Sequence, residues 1–220
     1  MSTPTVVTDR ASYRSVAADA PPGSRVPIEV RIDVRDPFTS YRRARDGPGG
    51  VFLETTGGQS GWGYFATEPV DRLTVSAEAV VADRTASAAT TAMGDYRRET
   101  PSLAALDGLL SGERLVRGPC SVPYPCGAFG WLSYDIAREL ESLPGEAVDD
   151  RGLPRLQVGV FDCVAAWEEP RDESVTLHVT CCPKLPETAP VDESALDSIY
   201  DRGLDRATEL AAAAVDGEPD

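Results

Sequence analysis

Apolar and polar residues alternate from Val26 to Val34, with Val26, Ile28, Val30, Ile32 and Val34 set against Pro27, Glu29, Arg31 and Asp33. A period of two predicts a half-buried strand. Asp36-Pro37-Phe38 then opens a short helix through Arg45, with proline in the first turn where its missing N–H costs nothing. Asp46-Gly47-Pro48-Gly49-Gly50 breaks it. Val51–Thr56 and Trp62–Ala66 are β-prone runs flanking Gly57-Gly58-Gln59-Ser60-Gly61, which predicts strand, turn, strand. Arg72 to Val81 reads as a strand pair or one bulged strand. Thr85 to Thr100 is Ala/Thr-rich without a period and reads as a loop.

Further along, Thr100-Pro101-Ser102 opens a helix over Leu103–Leu110, with Thr100 or Ser102 as its cap. Pro119–Pro125 is extended and leads into a glycine-hinged aromatic stretch starting at Cys126. That stretch runs into Ile136, Leu140 and Leu143 at i, i+4 and i+7, opposite Asp135, Arg138, Glu139 and Glu141. The spacing predicts a short amphipathic helix stopped by Pro144. Leu156–Trp167 reads as one long central strand, and Val175–Cys181 as its antiparallel return across Glu168–Ser174. After the linker Pro183–Pro190, a helix is expected from Asp192 to about Val215. Its apolar face carries Leu196, Ile199, Leu204, Ala207, Leu210, Ala211 and Ala214.

Strands outnumber helices and short turns join them, so the expected fold is α+β, with mainly antiparallel sheets packed as a sandwich and a few peripheral helices. No internal repeat is visible. Residues 1–24 are polar, end in Ala20-Pro21-Pro22-Gly23 and read as a weakly structured lead-in. The main domain is expected over residues 25–182, followed by a linker and helix over 183–220.

With 220 residues and 41% hydrophobic content, the chain can bury a sizeable core. It has no apolar run of about 18 residues, and Met1–Arg10 lacks an apolar signal core, so a cytoplasmic location is expected. Charge narrows the partners. Thirty-six acidic residues face 21 basic ones for a net charge of −15, which disfavours nucleic acid and anionic membranes. Lys184 is the single lysine among those 21 bases. At molar salt the Debye length falls to about 3 Å and such self-repulsion is screened. The acid-rich, lysine-poor pattern resembles cytoplasmic proteins of salt-in halophiles.

Candidate chemistry is sparse. Cys120, Cys126, Cys163, Cys181 and Cys182 match no common zinc spacing and read as reduced structural thiols, and no metal site is expected. His178 alternates with Leu177 and Val179 in a strand-like run, which puts it at a solvated or edge position. The glycines of 57–63 run into aromatic strand residues rather than a helix N-terminus, so they do not predict a phosphate loop. A Ser–His–Asp triad would rest on His178 alone, without a Gly-x-Ser-x-Gly elbow. No catalytic residue is assigned.

The run from Gly127 through Gly130-Trp131, Tyr134-Asp135, Arg138, Glu141 and Leu143-Pro144 resembles the Gly-x-x-Gly-Tyr-x-x-Tyr-Asp-x-x-Arg-x-x-Glu-x-Leu-Pro segment of chorismate-utilising synthases, in the first half of their component I. Three more segments match in order over roughly residues 36–168. Val51–Thr55 with Gly57-Gly58 is similar to a Leu-Leu-Glu-Ser segment, Phe65–Pro69 to Phe-Ile-Gly-Asp-Pro, and Leu153–Asp162 to Leu-Pro-Asp-Leu…Tyr-Asp.

The resemblance implies a component I N-terminal domain of aminodeoxychorismate (para-aminobenzoate) synthase, with anthranilate synthase as the alternative. A stand-alone tryptophan-binding module or a truncated product is also compatible. In the anthranilate branch the Leu-Glu-Ser segment lines a tryptophan effector pocket, which carries over to Leu53, Glu54 and Thr55. Thr55 stands in place of serine, and Trp62-Gly63-Tyr64 in place of Arg-Tyr-Ser, which favours the para-aminobenzoate branch. The resemblance further implies a chorismate-binding catalytic domain, in cis or trans, holding Mg2+. It also implies a glutamine amidotransferase subunit that supplies ammonia, and no cofactor in this chain.

Overall fold

The structure is a computed structural model that describes residues 3–55, 57–76, 80–84, 101–145, 152–188 and 191–218. In chain order the elements are β1 (Thr5–Val6), α1 (Arg10–Asp19), β2 (Ser24–Arg25), β3 (Ile28–Val34), α2 (Pro37–Ala44), β4 (Val51–Leu53), β5 (Gly61–Ala66), β6 (Asp71–Val75), β7 (Val80–Arg84), α3 (Pro101–Leu110), β8 (Arg114–Leu115) and β9 (Gly127–Leu132). A 3-10 helix (Tyr134–Glu139), β10 (Leu156–Phe161), β11 (Cys163–Glu169), β12 (Val175–Cys181) and α4 (Glu193–Asp216) complete the chain. The fold is α+β with antiparallel sheets.

Two compact units form. The first comprises Met1–Glu68, Glu113–Gly127 and Phe161–Asp220, and the second Pro69–Gly112 and Ala128–Val160. The first is built on a six-stranded antiparallel sheet in the order β1-β3-β12-β11-β5-β4. Alternation in β3 sends Val30, Ile32 and Val34 into a core shared with Leu177, Val179, Phe65 and Trp167. α4 closes this core with Ala207, Ala211 and Ala214. Small residues there let the helix approach the sheet. Gly203 is the extreme case, since a Cβ at that position would stand 2.5 Å from Ile28 Cδ1.

Asp192 caps α4 by accepting the Ala195 N–H at 2.7 Å, as a helix starting at residue 193 requires. The expected linker helix is therefore part of the first unit's core rather than an appendage. The lead-in also differs from expectation. Residues 10–19 form α1, capped by Asp9, which accepts the Ser12 N–H at 2.7 Å. Tyr13 is fully buried and its ring lies 5.5 Å from that of Tyr200 on α4. Arg10 and Arg14 on α1 pair with Asp201 and Asp197 on α4. α1 and α4 thus hold each other through a shared apolar cluster of Tyr13, Ala17, Leu196, Ile199 and Tyr200 flanked by surface ion pairs, a long-range arrangement that no local period reveals.

The expected single strand over Leu156–Trp167 is two strands in two sheets. The break falls at Asp162, whose backbone carbonyl accepts the Cys182 N–H at 2.7 Å. Its carboxylate takes both terminal nitrogens of Arg206, at 2.7 and 2.8 Å. An apolar run alone does not reveal a sheet change, because both halves are buried.

The second unit has a four-stranded sheet in the order β7-β6-β10-β9, covered by α3. The β6–β7 hairpin fits the expected strand pair. Leu73, Val75, Ala105, Leu156 and Val158 make its core, with Ile136 packed against it. The predicted amphipathic helix is instead a 3-10 segment, and Leu140 and Leu143 are exposed beyond it. The expected loop over Thr85–Thr100, with the Thr100 cap, lies outside the described residues. Ser102 stands inside α3, and its N–H and hydroxyl both donate to the Glu139 carboxylate, at 2.9 and 2.7 Å.

Candidate functional site

Strand directions bring the first unit's charged loops to one end of the sheet. β3 and β11 each run antiparallel to β12, and β4 and β11 each run antiparallel to β5. The three strands β3, β4 and β11 therefore point the same way. Their C-terminal ends deliver Asp36, Glu54 and Arg171 to the same edge of the sheet.

Arg171 is the centre of that group. Its guanidinium lies 3.2 Å from Glu54, 3.7 Å from Glu169 and 3.8 Å from Asp36. Glu169 is nearly buried and is held by the Trp167 indole N–H, which donates to Oε1 at 2.7 Å. Asp36 also caps α2, accepting the N–H and hydroxyl of Thr39 at 2.8 and 2.7 Å. Partial burial opposes ionisation of Asp36. The Thr39 hydrogen bonds and the Arg171 charge outweigh it and leave the carboxyl below its ordinary range.

Of the three residues read from the sequence, Glu54 alone enters this network. Leu53 ends β4 at the register position of Tyr64 and is two-fifths exposed. Thr55 packs beside Gly61, where a Cβ would stand 2.9 Å from its Oγ1. Asp36, Glu169 and Arg171 escaped the sequence reading. They are near Glu54 only because β5 and β12 place β4, β3 and β11 in parallel, and no local pattern carries that. A surface groove of about 560 Å3 adjoins the group at Asp36 and is lined further by Thr39, Ser40, Arg43, Ala214 and Val215.

A second polar cluster lies on the sheet face away from α4. Glu29, 3% exposed at its side chain, accepts from Arg31 Nε at 2.7 Å and lies 3.0 Å from His178 Nδ1. The Trp62 ring meets the His178 ring edge-on at 5.3 Å. His178 is thus not at a solvated or edge position. β12 is an inner strand, and the imidazole, 12% exposed, lies between a carboxylate and an indole. Burial raises the Glu29 pKa, but the His178 and Arg31 hydrogen bonds overcome it, so the carboxyl sits below its usual value.

All five cysteines are free thiols. Cys182 is buried and its thiol donates to the Pro125 carbonyl at 3.3 Å, beside the Thr180 hydroxyl, which reaches the same carbonyl at 2.7 Å. These contacts pin the extended Pro119–Pro125 segment to the first unit's sheet. No helix among the described residues is long and apolar enough to cross a membrane.

These two units match known proteins along nearly the whole chain. It is 54% identical over 214 residues to anthranilate synthase component 1 1 of Haloarcula marismortui, which covers 97% of this chain and 39% of that protein. It is 53% identical over 212 residues to anthranilate synthase component 1 3 of the same organism. Identity to anthranilate synthase component 1 of Mycolicibacterium smegmatis is 32% over 176 residues, 77% of this chain and 32% of that protein. No family model matches the chain. The chain is a homologue of part of the proteins named anthranilate synthase component 1. It spans about two-fifths of the length of the Haloarcula relatives it matches.

Proposed function

We propose that the chain is the supporting, effector-sensing region of an anthranilate synthase component I. The observation that carries this reading is the similarity over 97% of the chain to a protein of that name. In this reading chorismate and Mg2+ bind the remaining three-fifths of the protein, and a glutamine amidotransferase subunit supplies ammonia. The chain contributes scaffold, domain interface and an effector site at Glu54, where a carboxylate at an open strand end can take the ammonium group of tryptophan. Leu53 and Thr55 flank it. The aminodeoxychorismate branch remains the second reading, on Thr55 and the Trp62-Gly63-Tyr64 stretch.

One reconstitution tests both. The purified chain alone is expected to consume no chorismate with ammonia. Mixed in molar salt with the part of the Haloarcula marismortui relative that lies outside the match, it should restore turnover to anthranilate. Accumulation of aminodeoxychorismate instead would select the second branch. Turnover by the chain alone would remove the supporting role.

A further inference from the structure

Cys182 is held on three sides within the first unit. Its N–H donates to the Asp162 carbonyl at 2.7 Å, its carbonyl accepts from Arg25 Nη1 at 3.1 Å, and its thiol donates to the Pro125 carbonyl at 3.3 Å. The third contact sets the Cys182 sulfur beside the Pro125–Cys126 peptide, and the Cys126 and Cys182 thiols are within hydrogen-bonding reach of each other. The Thr180 hydroxyl donates to the same Pro125 carbonyl at 2.7 Å, which fixes the backbone just before Cys126. Cys126 and Asp162 flank the stretch Ala128–Val160, where the chain leaves the first unit for the second. Cys182 thus touches both ends of that excursion.

We propose that Cys126 and Cys182 are a redox-sensitive latch, a dithiol that a small-molecule disulfide converts to an internal disulfide closing the base of the Ala128–Val160 excursion. Cys126 is the attacking group. It is half-buried, and a Cβ built on the neighbouring Gly127 would meet nothing within 4 Å, so a small molecule can approach. The hydrogen bond from Cys182 holds the Cys126 thiol below its ordinary range, and the Arg25 charge adds to this against the burial that opposes it. Cys182 is the resolving group. It is fully buried, and that burial, with the hydrogen bond it gives to Cys126, pushes its thiol well up. In the first step the Cys126 thiolate attacks one sulfur of the external disulfide, forms a mixed disulfide and expels one small thiolate. In the second, Cys182 gives up its proton to that thiolate, attacks the Cys126 sulfur and expels the other small thiol. The two cysteine sulfurs lose two electrons and the external disulfide gains them. Cys163 and Cys181, register partners on β11 and β12, are a second thiol pair in contact. Its more accessible member, Cys163, is pushed well up by its hydrogen bond with Cys181 and by burial, and so offers no attacking thiolate.

The test incubates the reduced chain in molar KCl with glutathione disulfide and maps the products by mass spectrometry. Free thiols should fall from five to three, with Cys126 and Cys182 joined in one cross-linked peptide pair and dithiothreitol restoring all five. Cys182→Ala should stop with one glutathione on Cys126, and Cys126→Ser should leave Cys182 unmodified. Thermal midpoints of the reduced variants confirm that each is folded. The cross-link should raise the wild-type midpoint by about 5 °C or more, because it closes a long loop that contains β9 to β12. Hydrogen exchange over Pro119–Gly127 should slow on oxidation. A Cys163–Cys181 link in place of the Cys126–Cys182 one overturns the latch. Glutathione held on wild-type Cys126 without closure, or no loss of thiols at all, overturns it equally. A cross-link that forms only in denaturant would show that the fold keeps the two sulfurs apart. One that forms in the fold but changes neither midpoint nor exchange would show that it fastens nothing, and the proposal falls in both cases.

Discussion

Gly63 on β5 lies directly under the indole of Trp167, its register partner on β11, so closely that a Cβ at position 63 would overlap the six-membered ring. Trp167 is fully buried and also packs on Phe52 and Phe65, at 5.4 and 6.3 Å between ring centroids. The indole therefore has nowhere to move. Gly63→Ala is expected to cost about 1–3 kcal/mol through overpacking. Equilibrium denaturation in high salt would show a lower midpoint at an unchanged slope. An unchanged midpoint would mean that the ring has room, against this packing.

Asp162 and Arg206 hold the point where the chain leaves β10 for β11. The pair is bidentate, and Asp162 is mostly buried while Arg206 is two-fifths exposed. The Asp162 hydrogen bond raises the already high Arg206 pKa, so the guanidinium remains charged at any working pH. A double-mutant cycle with Asp162→Ala and Arg206→Ala should give a coupling energy on the order of 1 kcal/mol, toward the upper end for exposed pairs because of the fork geometry. Additive effects would show that each residue acts separately.

Glu29 makes stability depend on acid. Its folded pKa lies below the ordinary 4.5, because the His178 and Arg31 hydrogen bonds outweigh the burial that opposes them. A carboxyl depressed in the fold contributes fully above its unfolded value and loses that contribution as pH falls through the folded value. The wild type should therefore lose thermal stability as pH drops below about 4.5, more steeply than Glu29→Gln. The variant should be less stable at neutral pH and flatter in acid. Parallel pH profiles would remove Glu29 from the acid response.

Much of the fold was legible because most elements carry their own signal. The alternation from Ile28 to Val34, the helix starts at Asp36 and Asp192 and the glycine turn after β4 are local, and each is found where the sequence puts it. Apart from the 3-10 segment at Tyr134–Glu139, where a local period misled, the failures are long-range. α1 has few large apolar residues, and Tyr13 finds its partner Tyr200 only when α4 folds back. His178 looked solvated because alternation says which face a residue is on, not whether that face is covered. Here Trp62 and Glu29 cover it. The candidate site divides in the same way. Glu54 was legible through a family resemblance, whereas Arg171 became visible only when three strands ended at one edge.

Salt should act on the whole chain. A net charge of −15 produces self-repulsion that is felt over about 10 Å at 0.1 M salt and about 3 Å at 1 M. The denaturation midpoint is expected to rise with KCl over that range, with the steepest gain at the low end. If sodium and potassium chloride at equal ionic strength shift it equally, screening accounts for the gain. A midpoint that is flat in salt would contradict the charge argument.

In the second unit, Glu139 caps α3 from outside the helix. Its carboxylate, 4% exposed, accepts both the N–H and the hydroxyl of Ser102 and lies 3.3 Å from Arg155 Nη1. An anion at a helix N-terminus satisfies donors that the helix itself cannot. Glu139→Ala leaves those donors and Arg155 without their acceptor and should cost about 1–2 kcal/mol. Glu139→Gln keeps an acceptor without the charge and should cost less. Hydrogen exchange by mass spectrometry gives the local readout. Peptides spanning α3 and β10 should lose protection in Glu139→Ala while those from α4 keep theirs, because the cap belongs to the second unit's core and α4 to the first. Equal loss in α4 would show that the two cores unfold as one.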